Sequence, residues 1–238
     1  MQTLGPLAVG CEFQPFIDPH QLTVCGYEAL ARFKTVSGVL VPPNQVFDRL
    51  HRTPTLLAQV EYQSKQLQIR ESVPELPLFL NLDPHGIDTK SLDPMLTLLA
   101  SRAQITVEII ENTSIHEAEH ALTLVTQLQH AQIQVALDDV GATHAMLSLA
   151  LMSKVDCIKF DRYWLNADIT ASEWQLLEAL VGYARRSGKC AILEGVETQA
   201  HLNLARTLGV DLVQGFLFRD RFIQPPSFEP LTSNLALS

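Results

Sequence analysis

The chain has 238 residues, with 17 Lys and Arg against 26 Asp and Glu for a formal net charge of -9, and it is 47% hydrophobic and 18% charged. That length supports a substantial core in one large domain or two small ones, and the composition is globular rather than disordered. The acidic balance argues against nucleic acid or an anionic membrane as partners, so any anionic ligand needs local cations.

Cys11, Cys25, Cys157 and Cys190 are too few and too scattered for a disulfide scaffold or a CxxC metal site, and they read as buried, reduced thiols. The stretch LAVGC before Glu12 has the look of a lipoprotein cleavage site, but no basic segment and no adequate apolar region precede it. No run approaches the roughly 18 apolar residues of a spanning helix, which predicts a cytoplasmic protein.

In chain order, CEFQPFI and VCGYEALARF suggest two strands separated by the turn-prone Asp18-Pro19-His20-Gln21. After Pro42-Pro43, residues 44–71 read as helical, with Pro74 and Pro77 ending the stretch. PLFLNLDP is a short strand with Asn81 near its end. An alternation then sets in. ITVEIIE is a strand, and Glu117 to His130 a helix with Ala118, Ala121, Leu122, Val125 and Leu128 on one face. IQVALDD is the next strand, followed by a short helix over 144–152 and the strand DCIKFD. A helix from about Ser172 to Arg186 faces Trp174, Leu177, Leu180, Val181 and Ala184 inward, and CAILEGVE, a helix over 199–208 and a last strand DLVQGFLF complete the count.

Eight strands with intervening helices imply parallel pairing and point to a closed (β/α)8 barrel, with an open doubly wound sheet as the alternative. The absence of GxGxxG and GxxxxGK[ST] weakens that alternative.

Strand residues alternate faces, which pairs Phe79 with Asn81, Thr106 with Glu108, Ala136 with Asp138, Cys157 with Lys159, and Ile192 with Glu194. In a parallel barrel these C-terminal strand ends share one face, so the polar residues should converge. An isolated Asp138-Asp139 is a solvated turn or helix cap, and an isolated Lys159 or Glu is a paired structural residue. Together, Glu28, Glu108, Asp138, Asp139 and Glu194 face one cation, Lys159, and ion pairing is inadequate. Carboxylates plus the Asn81 amide suit Mg²⁺ or Mn²⁺ rather than zinc, and eight His are scattered without ligand spacing. Two such ions about 3.5 to 4 Å apart would clamp a phosphodiester, with Lys159 stabilising phosphate charge or orienting water. Spacing alone reaches a metal-dependent barrel enzyme of undetermined substrate.

The same residues carry a family resemblance. YEALAR, LNLDP, VEIIE, the Asp138-Asp139 pair, CIKFD, LEGVET and QGFLF occur in an order and spacing similar to those of EAL domains, the bacterial cyclic di-GMP phosphodiesterases. The resemblance implies a single EAL-type domain over residues 1–238, its motifs within about 11–220. Its fold would be α/β, a modified TIM barrel with an antiparallel first strand. Glu28, Asn81, Glu108 and Asp138 would ligate metal, Asp139 would be shared with or mainly serve a second ion, and Asp161 would support the metal and water shell. Lys159 and Glu194 would position the attacking water, supported by Gln214, and Glu111 would brace the loop after Asp139. Gln14, Leu30 and Arg32 would contact the nucleotide, which is opened to linear pGpG. The resemblance also implies a homodimer, for which AMLSLALM offers either a surface or core.

The loop after the acid pair departs from the family pattern. Members commonly read DDFGxGYSS where this chain reads DDVGATHAM, so Val140 replaces Phe, Thr143 the second Gly, and Ala145 and Met146 both Ser. Losing that Gly restricts positive φ, and losing the hydroxyls removes partners for Glu111, with His144 reading as a surface or packing residue. Past QGFLF, Arg219-Asp220-Arg221 stands where the family carries Pro and reads as solvated charge. The altered loop supports a second reading, a catalytically weak domain that signals by binding cyclic di-GMP or a protein partner.

Overall fold

The computed structural model describes residues 6–110, 115–143 and 146–231. Two long strands, β1 (Leu7–Ile17) and β2 (Val24–Thr35), pair antiparallel with Gln14 opposite Glu28. Their connection is built by Asp18, whose carboxylate accepts the backbone N–H groups of His20 at 2.7 Å and Gln21 at 2.8 Å. A short β3 (Leu40–Val41) extends β2 on the outside. From β2 the sheet continues in parallel through β4 (Leu78–Asn81), β5 (Ile105–Ile110), β6 (Gln134–Val140), β7 (Cys157–Phe160), β8 (Cys190–Leu193) and β9 (Leu212–Val213). β9 meets β1 at Ile17 opposite Val213, antiparallel, and this pairing closes an eight-stranded mixed barrel. The first strand therefore runs against both of its neighbours. A last β10 (Glu229–Pro230) adds to the outer edge of β1.

The helices α1 (Pro43–Leu50), α2 (Pro54–Glu71), α3 (Leu92–Ala100), α4 (Ile115–His130), α5 (Leu149–Lys154), α6 (Ala171–Arg186) and α7 (Gln199–Leu208) connect the strands. Several carry legible ends. Thr170 and Glu173 form a reciprocal cap on α6, and α7 runs from a Thr198 cap to Gly209 in the left-handed region at φ 72°. None of the described helices is long and apolar enough to cross a membrane.

Alternation sorts the strand side chains into two separate apolar layers. One face of each strand packs outward against the helices, through Leu80, Val107, Leu137, Ile158 and Ala191. The other face fills the barrel interior with Phe16, Phe79, Ala136, Cys157 and Ile192, four of them the apolar partners expected from the sequence. The Phe16 and Phe79 rings of this floor sit 4.5 Å apart.

Four local expectations are corrected. Residues 44–71 form two helices rather than one, because Pro54 has no N–H to continue α1 and instead opens α2. A helix the periodicity did not reveal, α3, follows β4. The helix expected over 144–152 begins later, at Leu149, where Ser148 accepts the Leu151 N–H at 3.3 Å. DLVQGFLF is strand only at Leu212–Val213: the backbone at Gly215 passes so close to Val196 that a Cβ would lie 2.3 Å from its carbonyl oxygen, and the chain turns into a 3₁₀ segment over Phe216–Arg221. All four cysteines are free, but only Cys11 and Cys157 are buried.

Gly141 marks the bend after β6. Its φ is 93°, and a Cβ there would lie 2.2 Å from Trp164 Nε1, which donates to the Val140 carbonyl at 2.7 Å. Gly141→Ala combines left-handed strain with overpacking and should cost about 2–4 kcal/mol. A urea midpoint within error of the parent protein would show that the bend relaxes without Trp164.

Candidate active site

The C-terminal strand ends open into a cavity of about 540 Å³. Its floor is Lys159, on β7, with 0% of its surface exposed. The Lys159 ammonium lies 2.7 Å from Glu108 Oε1, 2.9 Å from Asp138 Oδ1, 2.8 Å from Glu194 Oε1 and 3.7 Å from Glu28 Oε2. Below it, the Phe16 ring centroid is 5.9 Å away. Glu28 is clamped from both sides, accepting from Asn81 Nδ2 at 2.7 Å and from Gln214 Nε2 at 2.6 Å. Residues from β2, β4, β5, β6, β7 and the turns after β8 and β9 thus meet at one point. This is the convergence that alternation predicted.

Five of the remaining expected residues line the same cavity. Asp139 adopts φ 57° at the end of β6, and its carboxylate oxygen comes within 4.8 Å of oxygens of both Asp138 and Glu194. Asp161 also borders the cavity, while its Oδ1 accepts the Tyr163 N–H at 2.8 Å and caps a 3₁₀ turn. Gln14, Leu30 and Arg32 form the wall contributed by β1 and β2. Glu111 and His144 lie outside the described residues.

Burial sets the electrostatics. Burial alone would strip Lys159 of its proton, but Asp138, Glu108, Glu194 and Glu28 together hold its pKa well above the usual lysine value. Burial, reinforced by Glu28 and opposed by Lys159, pushes Glu108 well above the carboxylate range. Asp138 is raised by burial too. Burial raises Asp139 to about 6 and Glu194 to about 8. Glu28 is the exception: burial opposes its ionisation, yet Lys159 and the bonds from Gln214 and Asn81 outweigh it and lower the pKa.

One ammonium cannot compensate this many acids. Both Glu108 oxygens are buried without a hydrogen-bond partner, since Lys159 meets Oε1 at ion-pair distance but not in hydrogen-bond geometry. A buried carboxylate left in that state is costly, and an oxygen-ligated divalent cation removes the cost. The oxygen donors of Glu28, Asn81, Glu108, Asp138 and Asp139 are of the kind that holds a hard divalent cation.

Three features escaped the sequence reading. Glu12, on the same β1 face as Gln14, holds Arg32 at 2.5 Å, accepts from Gln14 at 3.1 Å and is also bonded by Gln224. The period-2 rule that linked the other pairs would have found it. Next, α2 buries a polar stripe of Glu61, Ser64, Lys65 and Gln68, with Glu61 and Lys65 paired at 2.7 Å beside the cavity. Its spacing of three, one and three residues was a readable signal of a helix facing the barrel mouth. Third, Arg162 and Phe216 line the cavity beside Glu197, the second acid of LEGVET.

The family model of the EAL domain matches residues 8–220. The chain belongs to the EAL domain family. Among curated relatives, this EAL domain is 28% identical over 218 residues to the probable cyclic di-GMP phosphodiesterase PdeN of Escherichia coli, covering 86% of this chain and 42% of that one. It is 24% identical over 223 residues to the cyclic di-GMP phosphodiesterase PdeL of Escherichia coli, covering 87% and 62%. With the Bacillus subtilis signaling protein YkoW it shares 25% over 229 residues, covering 91% and 28%. The chain thus spans less than two thirds of the length of these relatives. Among solved structures, the c-di-GMP complex of the PaMucR phosphodiesterase superposes with a TM-score of 0.74 at 21% identity, covering 93% of this chain and 92% of that one. A manganese and c-di-GMP complex of Klebsiella pneumoniae BlrP1 gives 0.72 at 22%, covering 94% and 57%. These likenesses establish the shared barrel.

Raised carboxyl values have a signed consequence. Glu194 holds its proton up to about 8 in the folded chain but only to about 4.5 when unfolded, so the metal-free fold binds more protons and loses stability as pH rises through that window. Metal binding needs the carboxylates ionised, so Mg²⁺ affinity should rise over the same window and level off above it. Thermal unfolding in chelator at about pH 6 and about pH 9 should show the midpoint falling, with the slope reduced in Glu194→Gln. Equal slopes in the two proteins would remove Glu194 as the titrating group.

Proposed function

We propose that this EAL domain hydrolyses cyclic di-GMP to linear pGpG with Mg²⁺ or Mn²⁺, two ions serving the active form. The observation that carries the reading is the meeting of Glu28, Glu108, Asp138 and Glu194 around the buried Lys159, in a chain of this family. The relatives named for cyclic di-GMP hydrolysis, and the solved complexes holding that nucleotide and manganese, support the substrate and the metal class.

In this reading Glu28, Asn81, Glu108 and Asp138 hold one ion, and Asp139 with Asp161 the other. Bound there, the ions supply Lewis acidity for phosphate oxygens and water. Glu194 accepts a proton from the attacking water, and Lys159, 2.8 Å from Glu194, fixes that carboxylate and offsets charge on the phosphate. Gln214 keeps Glu28 oriented through its 2.6 Å bond. The water oxygen bonds to phosphorus, the ester bond to the ribose oxygen breaks, that oxygen takes up a proton from solvent to become a hydroxyl, and the ring opens at one phosphodiester. Arg32 meets a phosphate, which lets an acidic chain bind an anion, while Gln14 and Leu30 contact the rest of the nucleotide. Glu12 holds the Arg32 guanidinium toward the cavity wall. Glu111 is assigned to the loop after Asp139.

Purified protein with Mg²⁺ and cyclic di-GMP should yield pGpG on nucleotide separation. Glu28→Ala or Lys159→Ala should lower the rate by at least about 100-fold, a loss expected of a general acid–base or electrostatic group. Binding without turnover at any metal concentration would replace this reading by that of a nucleotide-sensing effector.

The same reading includes a homodimer. The run AMLSLALM divides in the structure: Leu151 and Met152 enter the core, whereas Met146, Leu147 and Leu149 are 56%, 41% and 74% exposed. We assign these three exposed side chains to the contact between copies, because apolar groups clustered on a surface favour association. Leu149→Glu should shift the mass measured by light scattering toward monomer. A parent protein that is already monomeric at high concentration would reject the assignment.

A further inference from the structure

At the rim of the cavity, away from the carboxylate cluster, three side chains from two separated parts of the chain meet. His51 ends α1, Asp83 follows β4, and His85 lies in the 3₁₀ turn that Asp83 opens. His51 Nε2 contacts Asp83 Oδ2, and His85 Nδ1 lies 3.1 Å from Asp83 Oδ1. The two imidazoles therefore address different oxygens of one carboxylate. Asp83 is itself oriented, since Oδ1 also accepts the His85 backbone N–H at 2.9 Å. The His51 and His85 ring centroids are 5.6 Å apart, and His120 of α4 brings a third imidazole 6.4 Å from His85.

We infer that His51, Asp83 and His85 form a binding site for a transition-metal ion of the Zn²⁺ class, chemically distinct from the oxygen-rich cluster around Lys159. Two imidazole nitrogens and a carboxylate oxygen make a borderline donor set that favours Zn²⁺ over Mg²⁺. One donor atom from each of the three residues already lies within 4.8 Å of the others. A tetrahedral ion with bonds of about 2.0–2.2 Å holds its donors about 3.3–3.6 Å apart, so modest side-chain adjustment completes the geometry. The fourth position is left for water or His120. His51 and His85 side chains are 43% and 54% exposed, which gives an ion a path from solvent.

The position gives the site a consequence. His51 and Asp83 both border the cavity, and Asp83 stands two residues beyond Asn81. An ion at this point ties the turn between α1 and α2 to the loop after β4, and so fixes one side of the cavity mouth. This inference does not rest on the proposed hydrolysis.

The test is a competition between metal-stripped protein and a chromophoric zinc chelator, in excess Mg²⁺ so that the oxygen-rich cluster is occupied. The parent protein should retain one Zn²⁺ per chain, and His51→Ala/His85→Ala should weaken that binding at least 10-fold. Glu108→Gln should leave it in place. Co²⁺ should give visible ligand-field bands that the double histidine variant loses. Circular dichroism of that variant checks that the fold persists, and the single His85→Ala change should also weaken binding. No zinc retained by the parent, equal retention in the histidine variants, or a loss caused by Glu108→Gln alone would each overturn the site and leave two histidines hydrogen-bonded to an aspartate.

Discussion

Lys159 has three carboxylates within 3 Å and a fourth at 3.7 Å, with 0% of its surface exposed. Such a group exists only if several backbone elements deliver their charges to one point and the surroundings keep water from relaxing them. The parallel strands accomplish the first, because β5, β6 and β7 all present their C-terminal ends on the same side. The apolar floor of Phe16, Phe79, Ala136, Cys157 and Ile192 accomplishes the second. In that low-dielectric setting every mismatch of charge is amplified.

The antiparallel β1 belongs to the same constraint. Running against its neighbours, it places Glu12 and Gln14 on the cavity side and sends Phe16, which follows them in the strand, down to the floor. A parallel first strand would have reversed this, placing the aromatic ring among the acids. The orientation of β1 thus lets one strand supply both the wall that holds Arg32 and part of the dry floor.

Alternation was enough to place Asn81, Glu108, Asp138, Lys159 and Glu194 together, because strand geometry fixes which residues share a face regardless of distance in sequence. It also placed four of the five floor residues. The direction of β1 was not in the pattern, since a strand reads alike in both senses; only the family resemblance suggested it. Helix α3 was hidden by Asp93 and Pro94, which resemble loop punctuation although both are tolerated in a first turn. His51, Asp83 and His85 carried no spacing signal, because their approach depends on how α1 packs beside the strand end.

The loop after Asp139 separates what the family pattern predicts from what this chain needs. Among the described residues of this loop, the left-handed positions are Asp139 at 57° and Gly141 at 93°, and Thr143 is not one of them. The missing second glycine is therefore not required by this backbone, which corrects the strain expected at Thr143. Val140, in place of the family's Phe, is 1% exposed, and its carbonyl is taken by the Trp164 indole. Trp164 supplies an aromatic packing surface against the bend, and it fills the space above Gly141 so fully that no side chain fits there. Among the described positions that depart from the family pattern, Val140 is buried while Thr143 and Met146 face solvent. Among the described residues, the bend that follows the acid pair is thus fixed by the left-handed Gly141 and by the Trp164 bond to the Val140 carbonyl, neither of which involves the side chain of Thr143 or Met146.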